Sequence, residues 1–207
     1  MARKRKTAAR RTPARGSARA KSSAARSTRQ DAIMLLKADH RQVEQWFEQF
    51  ESSRSESKKS DLADRICKAL TVHTTIEEEI FYPAFYEATQ EKSLHHEAEI
   101  EHDGAKNLIA QIESSGPADD YFDAKVKVLS EMIKHHVREE EQRDGMFAKA
   151  RESRMDLNAL GERLAARKAQ LMGSAEADEE TSTRRSARSS AHDPGAMARL
   201  ARRTRGE

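Results

Sequence analysis

The stretch VHTTIEEEIFYPAF at residues 72–85, with its shorter echo KHHVREEE at 134–141, decides how this chain folds. In each, a histidine stands four residues before a glutamate: His73 before Glu77, and His136 before Glu140. That step places both side chains on one side of a helix. A lone histidine precedes each pair, His40 lying 33 residues before His73 and His102 lying 34 residues before His136. Four imidazoles and two carboxylates are therefore available to converge on one or two transition-metal ions.

Apolar residues around these positions recur at intervals of three and four, which is the helical period. Ile33, Leu36, His40, Val43, Phe47 and Phe50 trace one stripe over 29–53. The serine-rich Glu51–Ser60 segment reads as a loop, with Asp61 as the N-cap of a second helix over about 61–88. Its stripe is Leu62, Ile66, Ala69, His73, Ile76 with Glu77, Ile80 and Ala84, and Pro83 is expected to kink or end it. A third helix, about 93–113, carries His95, Ala98, His102, Ala105, Ile109 and Ile112, and Ser114-Ser115-Gly116-Pro117 stops it. The fourth, about 119–150, carries Phe122, Val126, Leu129, Ile133, His136, Glu140, Arg143 and Phe147.

Four amphipathic helices joined by short loops imply an all-α protein, an up-down-up-down four-helix bundle over residues 29–150. Residues 151–172 add a short fifth helix, read from DLNALGERLAARKAQLM at 156–172. Disordered basic tails are expected on either side. Residues 1–28 contain no aliphatic or aromatic side chain beyond alanine after Met1, and 173–207 are polar and Ser/Arg-rich.

The charge is divided in the same way. Residues 1–30 hold eleven Lys or Arg and no acid, leaving 27 basic against 35 acidic side chains in the rest. The N-terminal arm can release counterions from DNA or RNA and bind it without regard to sequence. No aromatic interleaves it, so base stacking is not expected. Cys67 is the only cysteine, which excludes an intrachain disulfide and fits a reducing cytoplasm. No apolar run is long enough to span a membrane.

Each candidate histidine occupies a stripe position where an aliphatic residue would otherwise pack. One buried histidine alone reads as a hydrogen-bonded core residue, and one glutamate as a rim residue. Six together, with one histidine on each helix, read as a metal site, because buried carboxylates need partners. Imidazole and carboxylate without thiolate suit Fe, Mn or Zn. Six protein ligands shared by two ions leave open positions, and the two glutamates can bridge. The other histidines read as peripheral: His95 near a helix start, His96 and His135 rotated off the seam, and His192 in the tail. Glu78, Glu79, Glu139 and Glu141 read as mostly solvated, Cys67 and Trp46 as core or core-edge, and Tyr82, Tyr86 and Tyr121 as packing residues, with the lining of an access path as their alternative.

The combination of DHRQVEQWFEQFE at 39–51, VHTTIEEEIFYPAF at 72–85, EHDGAKNLIAQIE at 101–113 and KHHVREEE at 134–141 resembles the hemerythrin-like, or HHE cation-binding, family. The resemblance covers about residues 31–150 and implies a four-helix bundle with a non-haem di-iron site. Oxygen-carrying members look for a further histidine one turn after the third-helix histidine, where this chain has Lys106. They also pair the last histidine with an aspartate five residues on, where this chain has Glu141. The resemblance therefore implies His40, His73, His102 and His136 with Glu77 and Glu140, a set one imidazole poorer, and reversible dioxygen carriage does not follow from it. The leading expectation is a non-enzymatic protein that binds, stores or senses iron, O2 or NO at a di-iron centre. One alternative is a di-iron oxidoreductase acting on NO or peroxide. The other is a nucleic-acid-associated protein that uses its basic arm.

Overall fold

The structure is a computed structural model that describes residues 30–191, with side chains through 174. The expected arm at 1–28 and the end of the tail at 192–207 lie outside the described residues. Four helices form the bundle, in the order and direction the sequence implies. Helix α1 is Ala32–Ser52, and its N-cap is Asp31, whose carboxylate accepts from the Met34 amide at 2.8 Å. Helix α2 is Glu56–Ile76 and begins a turn and a half earlier than expected. The Ser55 hydroxyl, not Asp61, caps it by accepting from the Lys58 amide. The loop shrinks to three residues because Glu56 to Ser60 lack any helix breaker.

Pro83 does not end the helical run, which continues to Thr89. A π-helical turn, Glu77–Phe81, lies between α2 and α3 (Tyr82–Thr89). The Tyr82 amide donates to the Glu77 carbonyl, five residues back. The wider turn absorbs the change of register just before Pro83, which then sits in the first turn of α3, where its missing N–H is tolerated. Gln90, in the left-handed region at φ 58°, closes α3.

Helix α4 is Lys92–Ser115, stopped at Gly116, and α5 is Phe122–Glu141. The expected fourth helix does not run on to 150. It breaks at Gln142, whose backbone is extended, and a separate short helix α6, Met146–Glu152, follows. A Cβ at Gly145 would collide with the Glu139 carbonyl and lie 2.8 Å from that of Glu140, so this tight return needs glycine. Helix α7 begins at Leu157 as expected but continues to Ala191 rather than stopping near 172. Residues 173–191 contain no proline and many alanine, glutamate and arginine residues, which favour helix.

Each of α1, α2, α4 and α5 touches two neighbours, closing a square, and α7 lies across α1, α2 and the π-turn. Two apolar clusters fill the bundle. One contains Ile33, Leu36, Phe81, Phe85, Phe147 and Leu164, and α6 and α7 cover it. The other contains Phe47, Phe50, Ile66, Ile109, Phe122 and Leu129 at the opposite end. Burying each of these side chains contributes about 1.5–3 kcal/mol. The histidine positions fall between the clusters on all four helices. The two plugs thus hold a polar layer out of water. Among the described residues no helix is long and apolar enough to cross a membrane.

Candidate metal centre

All six residues singled out by spacing meet in that layer: His40, His73, Glu77, His102, His136 and Glu140 are each 7% exposed or less. Their contacts fall into two halves. His40 and His73 bring their Nε2 atoms within 3.0 Å, and His102 and His136 within 3.2 Å. The glutamates join the halves. Glu77 Oε2 lies 3.2 Å from His73 Nε2 and 3.4 Å from His102 Nε2. Glu140 Oε2 lies 3.4 Å from His40 Nε2 and 3.7 Å from His136 Nε2.

The outward-facing Nδ1 atoms meet carboxylates. His40 Nδ1 is 2.9 Å from Glu141, His102 Nδ1 is 2.9 Å from Glu78, and His136 Nδ1 is 2.8 Å from Glu101. An ionised carboxylate only accepts, so these three rings carry a proton on Nδ1 and, when neutral, present a bare Nε2 inward. His73 differs: Asp39 stands 3.6 Å from its Nδ1, which makes no hydrogen bond. Lys168 from α7 holds Asp39 instead.

These carboxylates correct the reading of the acidic clusters as solvated. Glu78 and Glu141 hold histidines, and Lys106 donates to both oxygens of Glu78 at 2.6 Å. The lysine that stands where oxygen carriers place a histidine therefore fixes the partner of His102. Glu79 and Glu139 face outward as expected, Glu79 taking a two-pronged contact from Arg167. Tyr82 is also more than packing. Its hydroxyl lies 3.1 Å from His102 Nε2, 3.2 Å from Glu140 and 3.5 Å from Glu77. The sequence signal for it was hidden, because five residues separate Tyr82 from Glu77 and only the π-turn puts them on one face. Among the rest, His95 packs against Tyr82 and Tyr86, and His96 and Tyr121 are exposed. Cys67 is buried and burial pushes its thiol up to about 12. Trp46 borders the second cluster.

The donors fit a cation. Two nitrogens bound at about 2.1 Å to one ion, at about 90°, sit about 3.0 Å apart, which matches both histidine pairs. In the His102–His136 pair two bare lone pairs would face each other unless a proton or metal lies between them. In the metal-free chain a proton answers. Burial alone would lower His136, yet Glu140, Glu101 and Glu77 outweigh it and raise it to about 9. Glu140 is pushed up to about 7 by burial and by the facing Glu77 carboxylate. Glu77, though burial opposes it, is held down at about 2 by His73, His102 and His136. Burial and the same two glutamates keep Tyr82 a neutral phenol, which donates one hydrogen bond. Glu77 Oε1 and Glu140 Oε2 have no hydrogen-bond partner. Such buried oxygens are costly to leave unpaired, and a metal would pair them.

A pattern characteristic of the hemerythrin HHE cation-binding domain matches residues 31–150. A DNA nickase from Nostoc sp. is 30% identical over 110 residues, which make up 52% of this chain but 30% of that protein. The chain therefore spans less than a third of the length of the curated relative it matches. A crystal structure of a hemerythrin HHE cation-binding domain-containing protein from Mycobacterium kansasii aligns with a TM-score of 0.62 at 26% identity. That alignment covers 73% of this chain and 93% of the other. The chain belongs to the hemerythrin HHE cation-binding domain family and is a hemerythrin-like metal-binding protein.

Proposed function

We propose that this member of the hemerythrin HHE family holds two iron ions between its apolar plugs, and that it stores or senses iron, O2 or NO there rather than turning a substrate over. The supporting observation is the bridging geometry: each buried glutamate lies against one histidine from each half. His40 and His73 would hold one ion, His102 and His136 the other, and Glu77 and Glu140 would span both. Iron in this setting supplies a redox couple and coordination positions not taken by protein. The chain's own residues do the rest. Glu141, Glu78 and Glu101 orient the imidazoles and raise their basicity. Tyr82 offers a proton donor inside the layer. The two clusters exclude water.

Metal analysis and the optical spectrum of aerobically purified protein test this reading. Two irons per chain with charge-transfer bands are expected, and zinc alone or no metal overturns it. Steady turnover of NO or peroxide with an added reductant would instead favour the oxidoreductase reading.

A second reading concerns the arm. Eleven cations without an acid in residues 1–30, and partial similarity to a protein named as a DNA nickase, favour contact with nucleic acid. Deleting residues 1–30 should abolish a low-salt gel shift of duplex DNA; an unchanged shift removes the arm from that role.

A further inference from the structure

A cleft of about 210 Å³ opens between α1 and α5. His40 forms part of its lining, and Phe47, Ile133 and Val137 give it an apolar wall. Behind that wall is a second, much smaller void of about 10 Å³, bordered by all four histidines of the centre. His40, Ile133 and Val137 line both spaces. The inner void has room for about one water-sized molecule. Two aliphatic side chains beside one candidate ligand therefore separate the outer cleft from the inward-facing imidazoles.

The mouth of the cleft is charged in an unexpected sense. Residues 31–150 carry 26 acidic side chains against 15 basic ones. Yet Arg41, Lys134 and Arg138 line the cleft against Glu44 and Glu141. Glu141 is already bound to His40 and Lys37. Among the described residues the three cations form no ion pair. They are left to set the local potential.

We infer that the α1–α5 cleft is the port by which a small inorganic monoanion reaches the centre, with Ile133 and Val137 as its gate and Arg41, Lys134 and Arg138 as its steering charges. This rests on reading the six buried residues as a metal centre. A cleft whose lining carries a net positive charge beside apolar walls concentrates oppositely charged ligands and speeds their arrival. The aliphatic gate then selects by hydration. The cost of stripping water from an ion rises steeply with its charge, so a single negative charge passes where a dianion is turned back. Neutral diatomics cross the same gate but gain nothing from the rim.

The test uses full-length protein loaded with ferric iron, azide as the probe, and stopped-flow absorbance as the readout. Val137→Ala should raise azide association and dissociation together by about threefold or more, leaving Kd unchanged, because a gate alters rates and not end states. Val137→Phe should slow both. The double variant Arg41→Glu, Arg138→Glu should slow azide association about tenfold at low ionic strength and much less at about 0.5 M salt. Its rate with NO on the ferrous protein should not change. Metal content and circular dichroism confirm that each variant is folded and loaded. A chain that takes up no metal removes the underlying reading. Loaded protein whose azide rates ignore both sets of changes overturns the port alone, as does a change in Kd without a change in the rates.

Discussion

His135 and His136 are neighbours on α5, and each stands four residues before a glutamate, Glu139 or Glu140. Their fates differ completely. The His135 side chain is 57% exposed, with Nε2 3.3 Å from both Glu101 and Glu139. The His136 side chain is 5% exposed, tied at Nδ1 to the other oxygen of the same Glu101 and opposed at Nε2 by His102. One step along a helix turns a side chain by about 100°, and here that turn moves an imidazole from solvent to a dry layer. Around His135 water screens every pair and each contact is worth little. Around His136 nothing is screened, so partners are obligatory. Identical spacing specifies a face; burial and a carboxylate behind Nδ1 make that face a site.

The contrast can be broken from the inside first. Replacing His73 and His136 together by Ala should reduce bound metal to near none, measured by elemental analysis of folded protein. A double variant with full metal content would refute the ligand set. Glu101→Gln should weaken metal affinity by about 10–100-fold, seen by competition with a chelator, while still allowing saturation. Equal affinities would show that Glu101 serves only the surface.

Acid and base sharpen the same comparison. His136 is raised in the metal-free fold to about 9 from 6.5, so its stabilising contribution is complete below pH 6.5 and fades as pH rises through about 9. Glu140, raised to about 7, acts in the same direction at lower pH, its contribution fading above 4.5. Metal-free protein should therefore lose thermal stability between about pH 6.5 and 9, whereas metal affinity should climb over that interval as the competing proton leaves. A metal-free Tm that rises across this range would contradict the assignment. The smallest effect belongs to His135→Ala, which should leave metal content unchanged and stability within about 0.5 kcal/mol, by denaturant titration.

The six central residues and the bundle were legible because both follow from one period. Stripe positions and the proposed ligand positions coincide on all four helices, so one pattern carried both. What surrounds the site was not legible for a physical reason. Glu78, Glu101 and Glu141 sit off the stripe, where charged residues ordinarily meet water, and their partners lie on other helices. Nothing local separates Glu78, bonded to His102, from Glu79, bonded to Arg167 on α7. Boundaries failed where the backbone decided: Gly145 allows a return that the apolar pattern through Phe147 concealed, and the second helix starts at Ser55 because no breaker prevents it. Tyr82 was hidden by the π-turn.

That turn is also a rotary selector. In an uninterrupted α-helix the residue stacked on Glu77 would be Phe81, one turn later, and the phenol would swing away by about 100°. Refolding the turn as plain α-helix at unchanged length would leave every proposed ligand in the chain, yet exchange a hydroxyl at the centre for a bare benzyl ring. Deleting one residue between Glu77 and Tyr82 would instead remove the turn and keep the phenol on the face of Glu77. The wide turn therefore sets which ring faces the interior, and vibrational or fluorescence signals of the tyrosine would report a change of register.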